Sequence, residues 1–216
     1  MSYIDYKKRM EFGKAEYNKI VSYCYALSVP FFVSVWGIDS LAWMENNYSL
    51  ISRYKVPSAC LQDQLLLNAL NDIGKPVVIS TGMSTEEDVA VAVSRLGSVP
   101  LTICHTNSTY PAPPDELNLR AITWLKTTYP EADIGYSGHE TGLAPTLAAV
   151  ALGATYVERH VTMDRAMWGT DQAASIEAGG IRRLVKDIRL VEKSLGDGVK
   201  RVMPSEQEAR IRLRGV

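Results

Sequence analysis

The segment Leu101-Thr-Ile-Cys-His-Thr-Asn-Ser108 holds the pattern that decides the fold. A short run of apolar and β-branched residues leads directly into polar side chains that are able to bind or react. Apolar runs of this length, bounded by turn residues, are typical of buried strands. Five more such runs occur, at residues 31–35, 54–59, 76–81, 133–138 and 155–161. The sequence therefore predicts six strands.

Longer amphipathic segments separate the predicted strands. In the clearest one, Ser84 and Glu87 have the spacing of a capping box and Gly97 provides a stop signal. A second helix is expected over residues 181–195, where apolar residues repeat at helical spacing before a glycine. Weaker helical patterns cover residues 13–27, 118–128, 142–152 and the tail after residue 204. Strands that alternate with helices in this way predict βαβ units and a parallel sheet.

Two architectures are compatible with this alternation: an open doubly wound sheet and a (β/α)8 barrel. No glycine-rich G-x-G-x-x-G or Walker-type loop follows any predicted strand. Instead, nearly every predicted strand ends in polar residues, and a barrel collects the ends of all its strands around one active site. We therefore predict an α/β fold of the (β/α)8 TIM-barrel type, incomplete, with about six of the eight β/α units. Residues 1–216 are expected to form a single, partial catalytic domain.

Composition excludes several classes of protein. Lys and Arg total 23 against 24 for Asp and Glu, a formal charge of -1 that attracts neither nucleic acid nor an anionic membrane. The N-terminus lacks the apolar stretch of a signal peptide, and no run of about 18 apolar residues occurs. The three cysteines are widely spaced without a C-x-x-C pair, so we expect reduced thiols. These features predict a cytoplasmic protein that binds neither membranes nor nucleic acid.

All three histidines, His105, His139 and His160, fall at or just beyond predicted strand ends. In a barrel these ends converge, so residues far apart in sequence become neighbours. Two neutral imidazoles aimed at one point can hold a divalent cation such as Mn²⁺, together with carboxylates, substrate oxygens and water. Each histidine taken alone is better explained as a hydrogen-bonded core or rim residue. Their shared layer favours a functional role for at least two.

Lys55 lies within a predicted strand, where a buried ammonium needs an anionic partner. A phosphorylated or carboxylated substrate would supply one, and so would a local carboxylate such as Asp63. Four hydroxyls that end different strands are candidates to donate to phosphate oxygens, although serine is also common in turns. They belong to Ser58, Ser80, Thr81 and Ser137.

Two residues on predicted loops complete the candidates. Asp171 follows the last strand in the segment Trp168-Gly-Thr-Asp171, where it is either a substrate-contacting carboxylate or a solvated helix cap. Tyr110, in Ser108-Thr-Tyr-Pro111, either orients a sugar or holds its own loop in place.

Six motifs follow one another along the chain: Tyr54-Lys-Val-Pro-Ser58, Lys75-Pro-Val-Val-Ile-Ser-Thr-Gly-Met83, His105-Thr-Asn-Ser-Thr-Tyr-Pro111, Asn118-Leu-Arg-Ala-Ile122, Ile134-Gly-Tyr-Ser-Gly-His-Glu140 and Val157-Glu-Arg-His160. Their order and spacing resemble those of the sialic acid synthases, from about Tyr6 to the C-terminus. Each motif alone is weak, whereas the ordered set is specific.

The resemblance implies an enzyme that condenses phosphoenolpyruvate with N-acetylmannosamine or a related amino sugar. The products are a nine-carbon 2-keto-3-deoxy acid and inorganic phosphate. The resemblance further implies a divalent cation, Mn²⁺ or Mg²⁺, that acts as a Lewis acid, and a homodimer.

The same resemblance assigns roles to nine residues. Those implied to be catalytic are Lys55, Tyr110 and Asp171; those implied to bind substrate are Ser58, Ser80, Ser108 and Ser137; and those implied to bind the metal are His139 and His160. Phosphoenolpyruvate positions match Lys55, Ser58, Ser80 and Ser137, and sugar-side positions match Tyr110, Ser108 and Asp171. His105 is expected to support the site rather than to bind the metal.

The chain departs from the family pattern in three places. Cys60 stands where many members carry an acidic residue near the sugar. Nothing corresponds to the family's first two strands, or to its C-terminal antifreeze-protein-like domain. An incomplete barrel exposes strand edges, which we expect self-association, strand rearrangement or a missing N-terminal segment to cover.

The competing hypothesis on function is a catalytically inactive barrel fragment that retains an anion and metal pocket. A third and weaker hypothesis is a different phosphoenolpyruvate-using or aldol barrel.

Overall fold

A computed structural model describes residues 2–48 and 50–215 of the chain. Within them, six strands form one parallel sheet in the order β1-β2-β3-β4-β5-β6. The strands are β1 (Val33–Ser34), β2 (Tyr54–Val56), β3 (Val77–Ser80), β4 (Leu101–Thr106), β5 (Asp133–Gly138) and β6 (Tyr156–Arg159). The α-helices are α1 (Tyr3–Met10), α2 (Lys14–Ala26), α3 (Ile38–Asn47), α4 (Gln64–Ile73), α5 (Glu86–Leu96), α6 (Ala121–Thr128), α7 (Ala144–Ala151), α8 (Ala178–Leu195) and α9 (Gln207–Arg214).

The sheet is a curled, incomplete barrel, as predicted. Each strand pairs with the next one along the chain, and a helix lies between each pair of strands. In the described part of the chain, β1 has β2 as its one neighbour and β6 has β5. The six predicted strands are confirmed, although β1 is shorter than expected because Phe31 and Phe32 pack against the core instead of joining the ladder.

The hydrophobic core lies between the sheet and the helices that cover it. In β2, Tyr54 and Val56 are fully buried in this core. Because side chains alternate along a strand, the intervening Lys55 faces the inside of the curl. Burial of Tyr54 and Val56 in the core therefore orients Lys55 toward the concave side of the sheet.

Three helices, α1, α3 and α4, were not predicted. Helix α4 begins where the Asp63 side chain accepts a hydrogen bond of 3.1 Å from the backbone N–H of Leu66. It buries Leu66, Leu67 and Leu70, each worth about 1.5–3 kcal/mol of hydrophobic stabilisation. Asp63 is thus a helix cap, and of the two alternatives left open for Lys55, pairing with Asp63 is wrong.

The cap of α5 lies one residue later than predicted. The Thr85 hydroxyl accepts from the N–H of Asp88 at 3.3 Å, and the Asp88 carboxylate accepts from the N–H of Thr85 at 2.9 Å. The Ser84 hydroxyl instead donates to the carbonyl of Gly82 at 3.2 Å. The predicted pair of Ser84 and Glu87 is wrong because the turn after β3 uses Ser84 to fix its own backbone.

No α-helix in the described residues is long and apolar enough to cross a membrane.

Candidate active site

A cavity of about 710 Å³ opens on the concave side of the sheet, around the carboxyl ends of the strands. The cavity is lined by all nine residues to which the family resemblance assigns a role: Lys55, Ser58, Ser80, Ser108, Tyr110, Ser137, His139, His160 and Asp171. These residues come from five different strands or the loops that follow them. Their convergence is a structural finding, whereas the role of each remains a prediction.

Lys55 is held by a carboxylate that the sequence did not single out. Its Nζ binds Oε1 of Glu158, and the Ser137 hydroxyl donates to the same oxygen at 3.0 Å. Glu158 lies on β6, two residues before His160, and a period of two places both side chains on the concave face. This alternation is the sequence feature from which Glu158 could have been predicted to face the cavity.

Two serines approach the turn after β3 closely. The Ser58 hydroxyl accepts a hydrogen bond of 3.0 Å from the N–H of Gly82. A Cβ at Gly82 would lie 2.0 Å from Oγ of Ser108 and 2.8 Å from Oγ of Ser58. Only a glycine leaves room for both hydroxyls at this edge of the cavity.

The hydroxyl of Ser80 is buried without a hydrogen-bond partner in the described structure. Buried polar atoms are nearly always paired, so an orphan hydroxyl in a cavity wall indicates a ligand or water position. Thr81, by contrast, donates its hydroxyl to the carbonyl of Cys104 at 3.1 Å and does not line this cavity. The suggestion that Thr81 also donates to a phosphate in this cavity was wrong.

The orientation of His139 is fixed from both sides. Its Nδ1 lies 2.5 Å from the carbonyl oxygen of Asn107, which can only accept, so Nδ1 carries the proton. Nε2 is then the acceptor, 3.0 Å from the hydroxyl of Tyr110. Burial lowers the pKa of His139 below its ordinary value and keeps the ring neutral.

His160 lies beside His139, with 5.2 Å between the ring centroids. Burial lowers the pKa of His160, against an opposing effect of Asp171, whose Oδ2 lies 3.6 Å from Nδ1. The Tyr110 ring stacks on His139 at 4.1 Å and meets the edge of His160 at 5.4 Å. Tyr110 therefore contacts both imidazoles at once.

The two imidazoles fit a divalent cation as a partial set of ligands. Both rings are kept neutral, and the Nε2 lone pair of His139 accepts from the Tyr110 hydroxyl at 3.0 Å, so this hydroxyl would have to turn aside for a cation to bind there. In residues 2–48 and 50–215, no group of three histidine, cysteine, aspartate or glutamate side chains is arranged to hold a metal. Substrate oxygens and water would have to fill the remaining positions.

A buried ion pair lies immediately behind the two histidines. Arg159 Nη1 donates to Oε1 of Glu140 at 2.9 Å. The hydroxyls of Thr146 and Tyr136 each donate to this carboxylate at 2.8 Å. No local sequence pattern indicates this pair, because its members are 19 residues apart.

His105 lies outside the cavity. Its Nε2 is 2.7 Å from the carbonyl oxygen of Leu117, and burial lowers its pKa. This contact joins the end of β4 to the loop before α6, so the imidazole of His105 stabilises the position of that loop.

Comparison with known proteins agrees with these motifs. The chain is 34% identical over 214 residues to the N-acetylneuraminate-9-phosphate synthase of Mus musculus, covering 98% of this chain and 59% of that protein. It is 30% identical over 206 residues to the N,N'-diacetyllegionaminic acid synthase of Campylobacter jejuni, covering 93% of this chain and 61% of that one. The chain thus spans about three fifths of these relatives.

A solved structure gives the same result. The N-acetylneuraminic acid synthetase of Leptospira borgpetersenii, crystallised with citrate, superposes with a TM-score of 0.86 at 32% identity. The match covers 96% of this chain and 73% of that one. The sequence profile of the NeuB family matches residues 1–200. The chain therefore belongs to the NeuB family.

Proposed function

We propose that the protein condenses phosphoenolpyruvate with N-acetylmannosamine or a related N-acetylated amino sugar. The observation that carries the proposal is the single cavity that gathers all nine predicted residues, with an ammonium, orphan and paired hydroxyls and two neutral imidazoles. Family membership supports a sugar-acid synthase.

Lys55 and the strand-end serines form the proposed phosphoenolpyruvate site. The ammonium attracts the carboxylate or phosphate of the substrate, which then shares Lys55 with Glu158. Ser80 supplies an unpartnered hydroxyl, and Ser58 and Ser137 supply hydroxyls at neighbouring strand ends. Charge-assisted hydrogen bonds of this kind orient the enol so that C3 faces the sugar.

Tyr110, Ser108 and Asp171 form the proposed sugar side. Tyr110 is fixed by its stacking on His139, and Asp171 is oriented by the Thr170 hydroxyl, which donates to it at 2.7 Å. In the reaction C3 of phosphoenolpyruvate bonds to the aldehyde carbon, water adds at C2, and phosphate leaves by C–O cleavage. A divalent cation, Mn²⁺ or Mg²⁺, supplies a Lewis acid for the sugar aldehyde when bound at His139 and His160.

The proposed acceptor is a class of sugars, the N-acetylated amino sugars. Cys60 places a buried thiol, whose pKa burial raises, two residues after Ser58. A neutral thiol is only a weak hydrogen-bond acceptor, whereas a carboxylate accepts strongly from sugar hydroxyls. The relatives named above are synthases of different sugar acids, which supports an N-acetylated amino sugar without fixing its stereochemistry.

The test is phosphate release from phosphoenolpyruvate with Mn²⁺ and a panel of N-acetylated amino sugars. Sugar-dependent release is expected, with a reaction lacking sugar as the control. Absence of release with every sugar, while Mn²⁺ still binds, would favour the inactive barrel fragment instead.

A further inference from the structure

The hydrogen-bond register of the sheet places His139 and His160 side by side. In the pairing of β5 with β6, Gly138 lies opposite Arg159. The two histidines are the next residues along the chain, and their ring centroids are 5.2 Å apart. The spacing of the two imidazoles therefore depends on how firmly the two strand ends are held against each other.

One guanidinium holds these strand ends together from behind the cavity. Because side chains alternate along β6, Arg159 points away from the cavity that His160 lines. Its Nη2 donates to the main-chain carbonyl of Glu140 at 2.6 Å, and its Nη1 lies 3.0 Å from the carbonyl oxygen of Gly142. A side chain on β6 thus fixes the main chain that directly follows His139.

The ion pair of Arg159 and Glu140 also packs directly against the end of β5. A Cβ at Gly138 would lie 2.5 Å from Oε2 of Glu140 and 3.1 Å from Cδ of Arg159. The same carboxylate oxygen accepts a hydrogen bond of 2.8 Å from the hydroxyl of Tyr136, which lies two residues earlier on the strand. A shift of the ion pair must therefore shift the main chain that carries His139.

The same guanidinium contacts the segment that carries the carboxylate beside His160. Nη2 of Arg159 lies 3.4 Å from the carbonyl oxygen of Ala174, the last residue of a short 3-10 turn. This turn directly follows Asp171, whose Oδ2 lies 3.6 Å from Nδ1 of His160. Arg159 therefore links the chain beside His139 to the chain beside His160.

We infer that Arg159 is a positioning residue for the divalent cation: through Glu140, it sets the spacing of the two imidazoles proposed to bind the ion. This inference rests on the proposed function and adds to it a residue that does not touch the cation. Ligands held at a fixed spacing have less freedom to lose when the ion binds. Outer partners that hold metal ligands in this way contribute about 10- to 100-fold to metal affinity.

The fork of the guanidinium is essential to this role. Among the described residues, Nε of Arg159 has no hydrogen-bond partner, so Nη1 and Nη2 make the contacts. They bind different parts of Glu140, the carboxylate and the main-chain carbonyl. A lysine would keep the positive charge, but its single nitrogen lacks the planar fork that reaches both groups at once. Arg159→Lys therefore separates positioning from charge compensation.

The experiment titrates Mn²⁺ alone into the full chain and its variants, followed by electron paramagnetic resonance. For Arg159→Lys we expect about 10- to 100-fold weaker binding. Gly138→Ala, which keeps both charges and displaces the ion pair, should also weaken binding. Leu70→Ala is the control for lost stability, because Leu70 is buried on α4 and does not line the active-site cavity. This control should bind Mn²⁺ like the wild type.

The absorption spectrum of bound Co²⁺ provides a readout that a merely structural role would not move. A changed spacing of the imidazoles changes the geometry of the ligands, so the spectrum should shift in Arg159→Lys and stay unchanged in Leu70→Ala. Should Arg159→Lys not fold, Gly138→Ala serves as the same test.

Neither measurement requires a sugar, so this inference and the proposed function can fail separately. If no sugar supports turnover, the proposed condensation fails, yet weaker Mn²⁺ binding in Arg159→Lys with normal binding in Leu70→Ala still supports the positioning role. Three results would overturn that role: wild-type affinity or an unshifted spectrum in Arg159→Lys, an equal loss in Leu70→Ala, or no Mn²⁺ binding by the wild type.

Discussion

Arg159 donates to both the side chain and the main chain of Glu140, and this contact joins the two strand ends that carry His139 and His160. Nη1 lies 2.9 Å from Oε1, and Nη2 lies 2.6 Å from the carbonyl oxygen. The two side chains are only 5% and 1% exposed. Each histidine is therefore next in sequence to one member of a buried ion pair.

We predict that Arg159→Met destabilises the fold by about 3–5 kcal/mol, because it leaves the Glu140 carboxylate buried without its cation. Arg183→Met is the control: Arg183 lies 3.4 Å from Asp187 with its side chain 77% exposed, and such pairs contribute about 0–1 kcal/mol. Urea unfolding measures both. Equal losses in the two variants would show that burial of the pair is unimportant.

Removal of the charge on Glu158 should strengthen binding of phosphoenolpyruvate. In Glu158→Gln, Lys55 keeps a neutral neighbour, but an incoming anion no longer meets a carboxylate on the same ammonium. We expect roughly tenfold tighter binding, measured by calorimetry. Lys55→Met is expected to weaken binding by at least about tenfold. Weaker binding in Glu158→Gln would instead mean that the carboxylate holds Lys55 in its binding position.

The three histidines should differ in their effect on Mn²⁺ affinity. His139→Ala and His160→Ala each remove a proposed ligand, and we expect a loss greater than about 100-fold, the upper range for residues that merely orient ligands. His105→Ala should leave the affinity unchanged, since that ring binds Leu117 outside the cavity. Titration of Mn²⁺ followed by electron paramagnetic resonance gives the three affinities. The same affinity in all three variants would remove the ligand assignment.

Gly82→Ala should displace Ser58 and Ser108 at the edge of the cavity. The new methyl group would lie 2.0 Å from Oγ of Ser108, and the resulting displacement should cost about 1–3 kcal/mol and weaken phosphoenolpyruvate binding. Gly179→Ala is the control, because it lies in α8 with no atom within 4 Å of the added carbon. That variant should be neutral or slightly stabilising. Thermal unfolding in parallel distinguishes the two, and an unchanged Gly82→Ala would contradict the close approach.

Acid should destabilise the protein partly through His105. Burial lowers the pKa of His105, against a smaller opposing effect of its bond to Leu117. The ordinary pKa of about 6.5 applies in the unfolded chain, so its stabilising contribution is complete above that pH and declines as the pH falls below it. In His105→Gln the unfolding free energy should change less between about pH 7 and pH 5. Identical slopes for wild type and variant would exclude this contribution.

The sequence was sufficient for the six strands and for nine of the residues that line the cavity. Strands such as Leu101–Thr106 can be predicted from the local sequence alone, because an apolar run with polar ends is recognisable without knowledge of the neighbouring strands. The cavity followed from one topological rule, the convergence of strand ends in a barrel.

Side-chain pairings across the sheet could not be predicted from the sequence. Lys55 and Glu158 are 103 residues apart, and the strand alternation that turns Glu158 toward the concave face does not identify the cation that it meets there. The sequence likewise predicted a capping box of Ser84 and Glu87, but the Ser84 hydroxyl bonds the turn at Gly82 and Thr85 caps α5 instead. Tertiary contacts settle these choices, so they emerge only with the fold.

The bond between Lys55 and Glu158 has a consequence for turnover in the proposed reaction. The carboxylate is an intramolecular competitor for Lys55, because it is held on β6, across the curl of the sheet from the ammonium on β2. Each departing product anion is replaced at once by a group that cannot diffuse away. For the proposed reaction we expect this ion pair to lower substrate affinity and to favour product release, since Lys55 keeps a carboxylate partner when no substrate anion is bound to it.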